Sequence, residues 1–434
     1  MSAEQPTVVF FPEGAFGPTN NCIGIGEVLR ERGARVVFVI EESFAGNLEA
    51  RGFEERLMRL TPPPEVEEEP GQYWKDFVRD TAPQLRRSTI EQLEGFIRPV
   101  WQGLVDGARH VEPRLREIFD EVRPDVIVED NVVAFPAVLT AGAPWVRIVS
   151  CNPLELKDPG LPPPFSGHPA VDPSGWGEFR RRYAELHEDL HGEFSDFCMD
   201  QGAPRLPEGE FMLESPWLNL SLYPEAADYA RTVPVAPTWR RLGSCVRTSD
   251  EPYEVPGELR EGDGRLVYLS LGSLGSADVE LMQRLIDVLA PTPHRYIVSA
   301  GPQHQMVRLA DNMAGAEFLP QPSILPQVDL VITHGGNNTV TECFHFGKPM
   351  VVLPLFWDQH DNAQRVDELG FGTRLSTYGF EDGELTSAVD RLLADEALHA
   401  RLAEVSRTLQ ADSGRVRAAG LIERVARTGE PVAR

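Results

Sequence analysis

One pattern constrains this chain more than any other, and it occurs twice. A short β-branched and aromatic strand, a helix and a second apolar strand follow one another within about 35 residues, the size of a βαβ unit. The first copy runs from Thr7–Phe11 (TVVFF) through a Gly/Pro/Asn-rich loop at Pro12–Asn21 and a helical pattern at Ile23–Arg32, ended by Gly33, to Arg35–Ile40 (RVVFVI). Runs without polar alternation are covered on both faces, which points to a parallel sheet between helices. Further strands are expected at Val126–Val128 and Trp145–Val149. The pattern restarts with a strand at Leu266–Leu271, a helix near Val279–Leu289 and strands at Arg295–Ala300 and Leu330–Thr333. An α/β chain of two doubly wound, Rossmann-like halves follows.

The 434 residues are enough for two or three domains. Residues 238–264 are polar and Pro-punctuated, so they read as a linker between an N-terminal domain, 1–237, and a C-terminal domain, 265–434. The acidic stretch Pro62–Gly71 (PPPEVEEEPG) reads as a solvated loop. Pro153–Ser174 is dense in Pro and Gly, and Trp176–Asp200 has helical spacing.

With 41 basic against 67 acidic residues the net charge is −26. Such a surface repels phosphate backbones and anionic headgroups, so neither nucleic acid nor membrane is expected as a partner. No window approaches the ~20 apolar residues of a spanning helix, and the N-terminus has no secretory pattern. A cytoplasmic protein is expected. Its five cysteines, Cys22, Cys151, Cys198, Cys245 and Cys343, are scattered singly and read as reduced thiols.

The chemistry concentrates in the second half. A strand ending at Thr333, then His334, Gly335 and Gly336, then a helix from about Thr339, places free backbone N–H groups and a positive helix end at a glycine turn. A diphosphate fits there, with His334 and Thr339 as further donors. Glu342 falls one turn into the helix, where its carboxylate can accept both hydroxyls of a ribose.

The 55-residue segment Phe318–Gly372 combines P-Q, T-H-G-G-x-N-[ST]-x-x-E, G-x-P and D-Q-x-x-N in order. It resembles the nucleotide-sugar signature of the family 1 glycosyltransferases of the GT-B fold, which include plant secondary-product and bacterial macrolide enzymes. The resemblance implies two Rossmann-like domains facing a cleft. The N-terminal domain would take a small-molecule acceptor such as a natural product, an antibiotic or a nucleoside-like compound, and the C-terminal domain the nucleotide sugar. It implies inverting transfer of a hexose, with UDP-glucose as first donor and dTDP-sugars as the alternative. A C-terminal helix, Ala400–Gln410 or Gly420–Arg427, would cross back over the first domain.

By the same resemblance Phe318 stands where a Trp often stacks on the base, and Gln321 contacts the nucleoside. Asn338 belongs to the phosphate motif, Ser273 reaches the phosphates, and Asp358 and Gln359 bind sugar hydroxyls. No Asp-x-Asp pair occurs, so no metal and no cofactor beyond the donor substrate is expected. Oligomeric state is left open.

One residue departs from the family. Where its members carry a general-base His after the first strand, in G-H-x-N-P, this chain reads Gly17-Pro18-Thr19-Asn20-Asn21. Proline cannot accept a proton. Asp130, in VIVEDN, matches the carboxylate that normally steadies that His. Three readings stand: Asp130 or a loop carboxylate such as Glu13 acts as the base; the acceptor is an amine or acidic hydroxyl that needs little help; or the protein binds sugar nucleotides without turnover.

Two further motifs compete. His187-Glu188-Asp189-Leu190-His191 satisfies the H-E-x-x-H of zinc metalloproteases, yet its setting of Arg, Glu and Asp reads as a solvated helix. Gly24-Ile25-Gly26 lacks the third glycine of a dinucleotide fingerprint and reads as helix packing. Phe165, Trp176, Phe211 and Trp217 are candidate acceptor contacts.

Overall fold

The computed structural model describes residues 5–62, 72–262 and 264–432. The acidic loop after Pro62 lies outside them. The first half forms a seven-stranded sheet of β1 (Thr7–Pro12), β2 (Arg35–Glu41), β3 (Glu54–Met58), β4 (Val126–Asp130), β5 (Trp145–Val149), β6 (Leu218–Ser221) and β7 (Trp239–Arg241). The second half forms a six-stranded sheet of β8 (Leu266–Ser270), β9 (Arg295–Ser299), β10 (Met313–Ala316), β11 (Leu330–Thr333), β12 (Met350–Val352) and β13 (Gly372–Arg374).

The strand orders are β3-β2-β1-β4-β5-β6-β7 and β10-β9-β8-β11-β12-β13, with every pairing parallel. Each half is thus a doubly wound α/β layer, and its direction of winding reverses once, between β1 and β4 and between β8 and β11. Ligands of such sheets bind beyond the carboxyl ends of the strands at that reversal. In register Pro12 pairs with Asp130 and Ser270 with Thr333, so these residues mark the two switch points.

The strands form because their side chains are buried on both faces. In β1, Val9 and Phe11 join the large core shared by both halves, while Val8 and Phe10 face a second core. The helix Phe16–Glu31 covers that second core together with the C-terminal helix Gly414–Thr428, which buries Ala418, Ala419, Ile422 and Val425 there. The chain therefore ends on the sheet where it began. No helix of the described residues is long and apolar enough to cross a membrane.

Several expectations shift. The loop expected over Pro12–Asn21 shrinks to Glu13–Ala15, because the helix starts at Phe16 and takes Pro18 into its first turn. Proline is tolerated there since the first four N–H groups of a helix have no partner within it. β7 starts inside the stretch read as linker, whose opening residues hydrogen-bond to β6 as the sheet edge. The strands β3, β6, β7, β10, β12 and β13 have three to five residues each, too short for a pattern to stand out.

Candidate active site

The second switch point is built around His334. β11 delivers it at a turn where Gly335 has φ +86° and packs under Val352, a conformation that a side chain would strain. A Cβ on Gly336 would stand 2.5 Å from the His334 Nε2, so the backbone reaches the imidazole only because that residue is glycine. Gly272 touches the same ring and carries Ser273 alongside. Burial lowers the His334 pKa to about 4, so the ring is neutral at physiological pH, with a hydrogen bond to the Ser270 backbone. The helix Asn337–Phe346 starts directly after the turn, its first N–H groups unpaired within the helix.

Four predicted residues converge one turn further. Glu342 is 1% exposed. Its Oε1 accepts from Asn338 Nδ2 at 3.0 Å, its Oε2 from Gln321 Nε2 at 2.5 Å, and the same Gln321 amide reaches Thr339 Oγ1 at 3.3 Å. Burial raises the Glu342 pKa, and a cation opposes that rise: Arg247 of the linker donates to Oε1 at 3.2 Å. Sequence reasoning missed Arg247, because a single arginine in a polar linker carries no pattern. Phe318 lies nearby at the surface, half exposed.

The D-Q pair sits where the halves meet. Asp358 Oδ2 accepts from the Asn152 backbone N–H at 2.8 Å and from Asn362 Nδ2 at 3.2 Å, while Asn152 Nδ2 donates to Asn362 Oδ1 at 2.9 Å. One oxygen of the expected sugar ligand thus also ties the two halves together. Gln359 Oε1 accepts from Leu355 N at 3.0 Å and Phe356 N at 3.3 Å, which leaves its amide N–H₂ to donate. Along the same helix, Asp361 takes the Phe165 and Gly167 N–H groups of the first half at 2.6 and 2.8 Å.

Across the cleft, the first switch point carries carboxylates. The Glu13 N–H donates to the Asp130 carbonyl at 2.9 Å, which sets the two residues side by side at the ends of β1 and β4. Asp130 is 4% exposed; its Oδ1 accepts from Ser150 Oγ at 2.9 Å and its Oδ2 is buried without a partner. Burial raises the Asp130 pKa to about 7. Glu13 is half-buried and also rises to about 7, through desolvation and then repulsion from Asp130, Asp358 and Glu155. That Asp358 acts on Glu13 places both walls of the cleft within electrostatic reach of one another.

The comparisons with known proteins agree with this geometry. Residues 233–413 match the family model described as UDP-glucoronosyl and UDP-glucosyl transferase. The demethyllactenocin mycarosyltransferase of Streptomyces fradiae is 25% identical over 97% of this chain and 87% of its own length. The oleandomycin glycosyltransferase of Streptomyces antibioticus is 24% identical over 96% and 90%. A crystal structure of the glycotransferase of kitacinnamycin superposes with TM-score 0.71 at 24% identity, covering 97% of this chain and 99% of that one. The chain has the GT-B fold, and it is similar to glycosyltransferases of family 1 along most of its length.

In this chain the zinc-protease motif is something else. The His187 Nδ1 bonds the Tyr183 carbonyl at 2.6 Å, the His191 Nε2 bonds the Pro207 carbonyl at 2.8 Å, and Glu188 is exposed to solvent. The two rings serve the helix Trp176–Asp200 and its neighbours. Gly24 is where the segment 245–247 crosses the first helix, since a Cβ would stand 2.3 Å from the Cys245 carbonyl oxygen.

Of the candidate acceptor contacts, Phe165 and Phe211 share a cluster with Trp101, Tyr183 and Trp357; Phe211 stacks on Trp101 at 4.4 Å and Phe165 tilts against Trp357 at 4.4 Å. Trp357 directly precedes Asp358, so this cluster reaches the cleft. Trp217 does not. It precedes β6, at the opposite end of the sheet, and its indole N–H donates to Gly429. Trp176 packs on Arg180 instead.

Proposed function

We propose that this protein is a glycosyltransferase that moves a sugar, glucose first, from a uridine diphosphate sugar to a small-molecule acceptor with inversion and without a metal ion. The observation that carries the reading is that two switch points face one cleft, one rich in buried carboxylates and the other built as an anion turn with a ribose-type carboxylate beside it. Residues 1–237 would hold the acceptor and 265–434 the donor. The names of the relatives, a mycarosyltransferase and an oleandomycin glycosyltransferase, favour a natural product of antibiotic type as acceptor. Five unpaired thiols suit a reducing compartment such as the cytoplasm.

In the proposed step an acceptor O–H or N–H lies against Glu13. Its heteroatom attacks the anomeric carbon, the bond from that carbon to the diphosphate oxygen breaks, and the electron pair leaves on the nucleotide. The proton passes to Glu13, whose raised pKa, sustained by Asp130, suits a base working near neutral pH. The backbone N–H groups after Gly335 receive the charge that grows on the leaving diphosphate, and that charge favours protonation of His334, whose second ring nitrogen then donates as well. A general base is worth about 10² to 10⁴-fold, so the carboxylate pair takes over what Pro18 cannot do.

A thymidine diphosphate sugar is the second reading of the donor. Two similar structures, of the glycosyltransferase VinC and of a spinosyn rhamnosyltransferase, were solved with dTDP and thymidine diphosphate. Incubation with a panel of UDP- and dTDP-sugars and natural-product acceptors, following nucleotide release and product mass, tests both. Tight nucleotide binding with no transfer to any acceptor would leave a sugar-nucleotide-binding protein instead.

A further inference from the structure

Among the described residues seven large apolar side chains are exposed, and two of them are aromatic: Phe16, at 47%, and Phe318, at 51%. They belong to different halves of the molecule, yet their ring centroids lie 5.9 Å apart with planes tilted by 38°. Phe16 opens the helix Phe16–Glu31 and also packs on Phe44 at 5.1 Å. Its neighbour Gly17 runs so close to the donor motif that an added Cβ would stand 3.8 Å from the Cβ of Asn338. Phe318 stands three residues before Gln321, whose amide meets Glu342 and Thr339. Two half-exposed rings thus face each other beside the ribose-type carboxylate and leave apolar faces in water that a flat aromatic ligand would cover.

We infer that the nucleobase of the sugar donor is held between Phe318 and Phe16, so that a side chain of the acceptor half completes the base site of the donor half. This rests on the proposed donor site. A base touching both rings at about 3.5 Å per contact needs planes about 7 Å apart, so the rings must part by roughly 1 Å from their present spacing. Three consequences follow from that geometry. Nucleotide binding becomes sensitive to how the halves sit relative to one another. The two rings read the π face of the base and not its edge, so uracil and thymine are both accepted. A smaller Phe in place of the Trp common in the family is compensated by a second ring.

The test measures calorimetric affinities for UDP and for ribose 5-diphosphate, which lacks the base, in the wild type and in Phe16→Leu, Phe16→Trp, Phe318→Ala and His334→Ala. Phe16→Leu keeps the packing on Phe44 and removes the π face. The proposal expects it to weaken UDP about 5- to 50-fold, to leave ribose 5-diphosphate unchanged, and to be rescued by Phe16→Trp. If Phe318→Ala weakens UDP while Phe16→Leu does not, the second jaw is wrong and the donor site stands. Equal weakening of both ligands by Phe16→Leu also overturns the proposal, because a structural effect would account for it. If His334→Ala and Phe318→Ala both leave UDP unchanged, the donor-site reading fails and the jaw falls with it.

Discussion

Arg247 donates from Nη1 to Oε1 of Glu342 over 3.2 Å, and both side chains are buried. The pair joins the linker to the carboxylate that the donor site would use for ribose. Arg247 also grips Asp250 at 2.6 Å, Asp250 takes Arg51 at 3.1 Å, and Glu27 accepts the Thr248 and Ser249 N–H groups at 3.0 Å. The linker is therefore pinned to the first half and to the donor site at once.

Removing that cation should act through Glu342. Burial raises the Glu342 pKa and Arg247 opposes the rise, so Arg247→Met moves the carboxyl toward its protonated form. A neutral carboxyl accepts fewer hydroxyl hydrogens, and the donor KM should rise about tenfold with a smaller change in kcat. The sign is fixed: the KM defect is larger at pH 6 than at pH 8. Arg247→Lys should recover part of it. A KM defect equal at both pH values would reduce Arg247 to a purely structural role.

The carboxylate pair predicts a pH signature. Glu13→Gln should lower kcat with a hydroxyl acceptor by at least ~10²-fold while UDP binds normally. In the wild type kcat/KM should fall with acid below about pH 7, because the base must be unprotonated and its pKa lies there. Asp130→Asn removes a neighbouring negative charge, so that limb moves to lower pH. Wild-type kcat in Glu13→Gln would transfer the role of base to Asp130 or to a self-activating acceptor.

Activity should survive dialysis against EDTA. In the proposed site, charge on the leaving diphosphate would meet backbone N–H groups, a helix end and His334 rather than an acidic cage. An absolute dependence on added Mg²⁺ or Mn²⁺ would contradict it.

Glu129 predicts a stability slope. It lies fully buried in β4 opposite Arg147, with neither carboxylate oxygen hydrogen-bonded, and desolvation raises its pKa to about 8. Between pH 4.5 and 8 the unfolded chain releases this proton while the folded chain keeps it, so the group subtracts stability as pH rises through that window. Glu129→Gln removes the slope. Its Tm advantage over the wild type should grow from pH 5 to pH 8 in thermal melts, and a constant difference would count against the raised pKa.

Where information was local, the residues alone were enough. The alternation of covered strands and helices is legible because a parallel strand buried on both faces has to be apolar along its whole length, as in TVVFF and RVVFVI. The anion turn is equally local. Thr333, His334, Gly335, Gly336, Thr339 and Glu342 lie within ten residues, and the step from strand to glycine turn to helix imposes their arrangement.

The tertiary structure decided which distant residues meet. Glu13 and Asp130 are neighbours because β4 returns beside β1, and nothing in either segment encodes that register. Arg247 finds Glu342 ninety-five residues away, and Phe16 finds Phe318 across the cleft, through the packing of whole domains. The helix start at Phe16, against an expected loop to Asn21, shows the same limit on a smaller scale. A proline and two asparagines read locally as a turn, but burial of Thr19, Asn21 and Cys22 against the fold makes the helix the lower state. Sequence pattern reports what each segment can bury; only the folded chain settles what it is buried against.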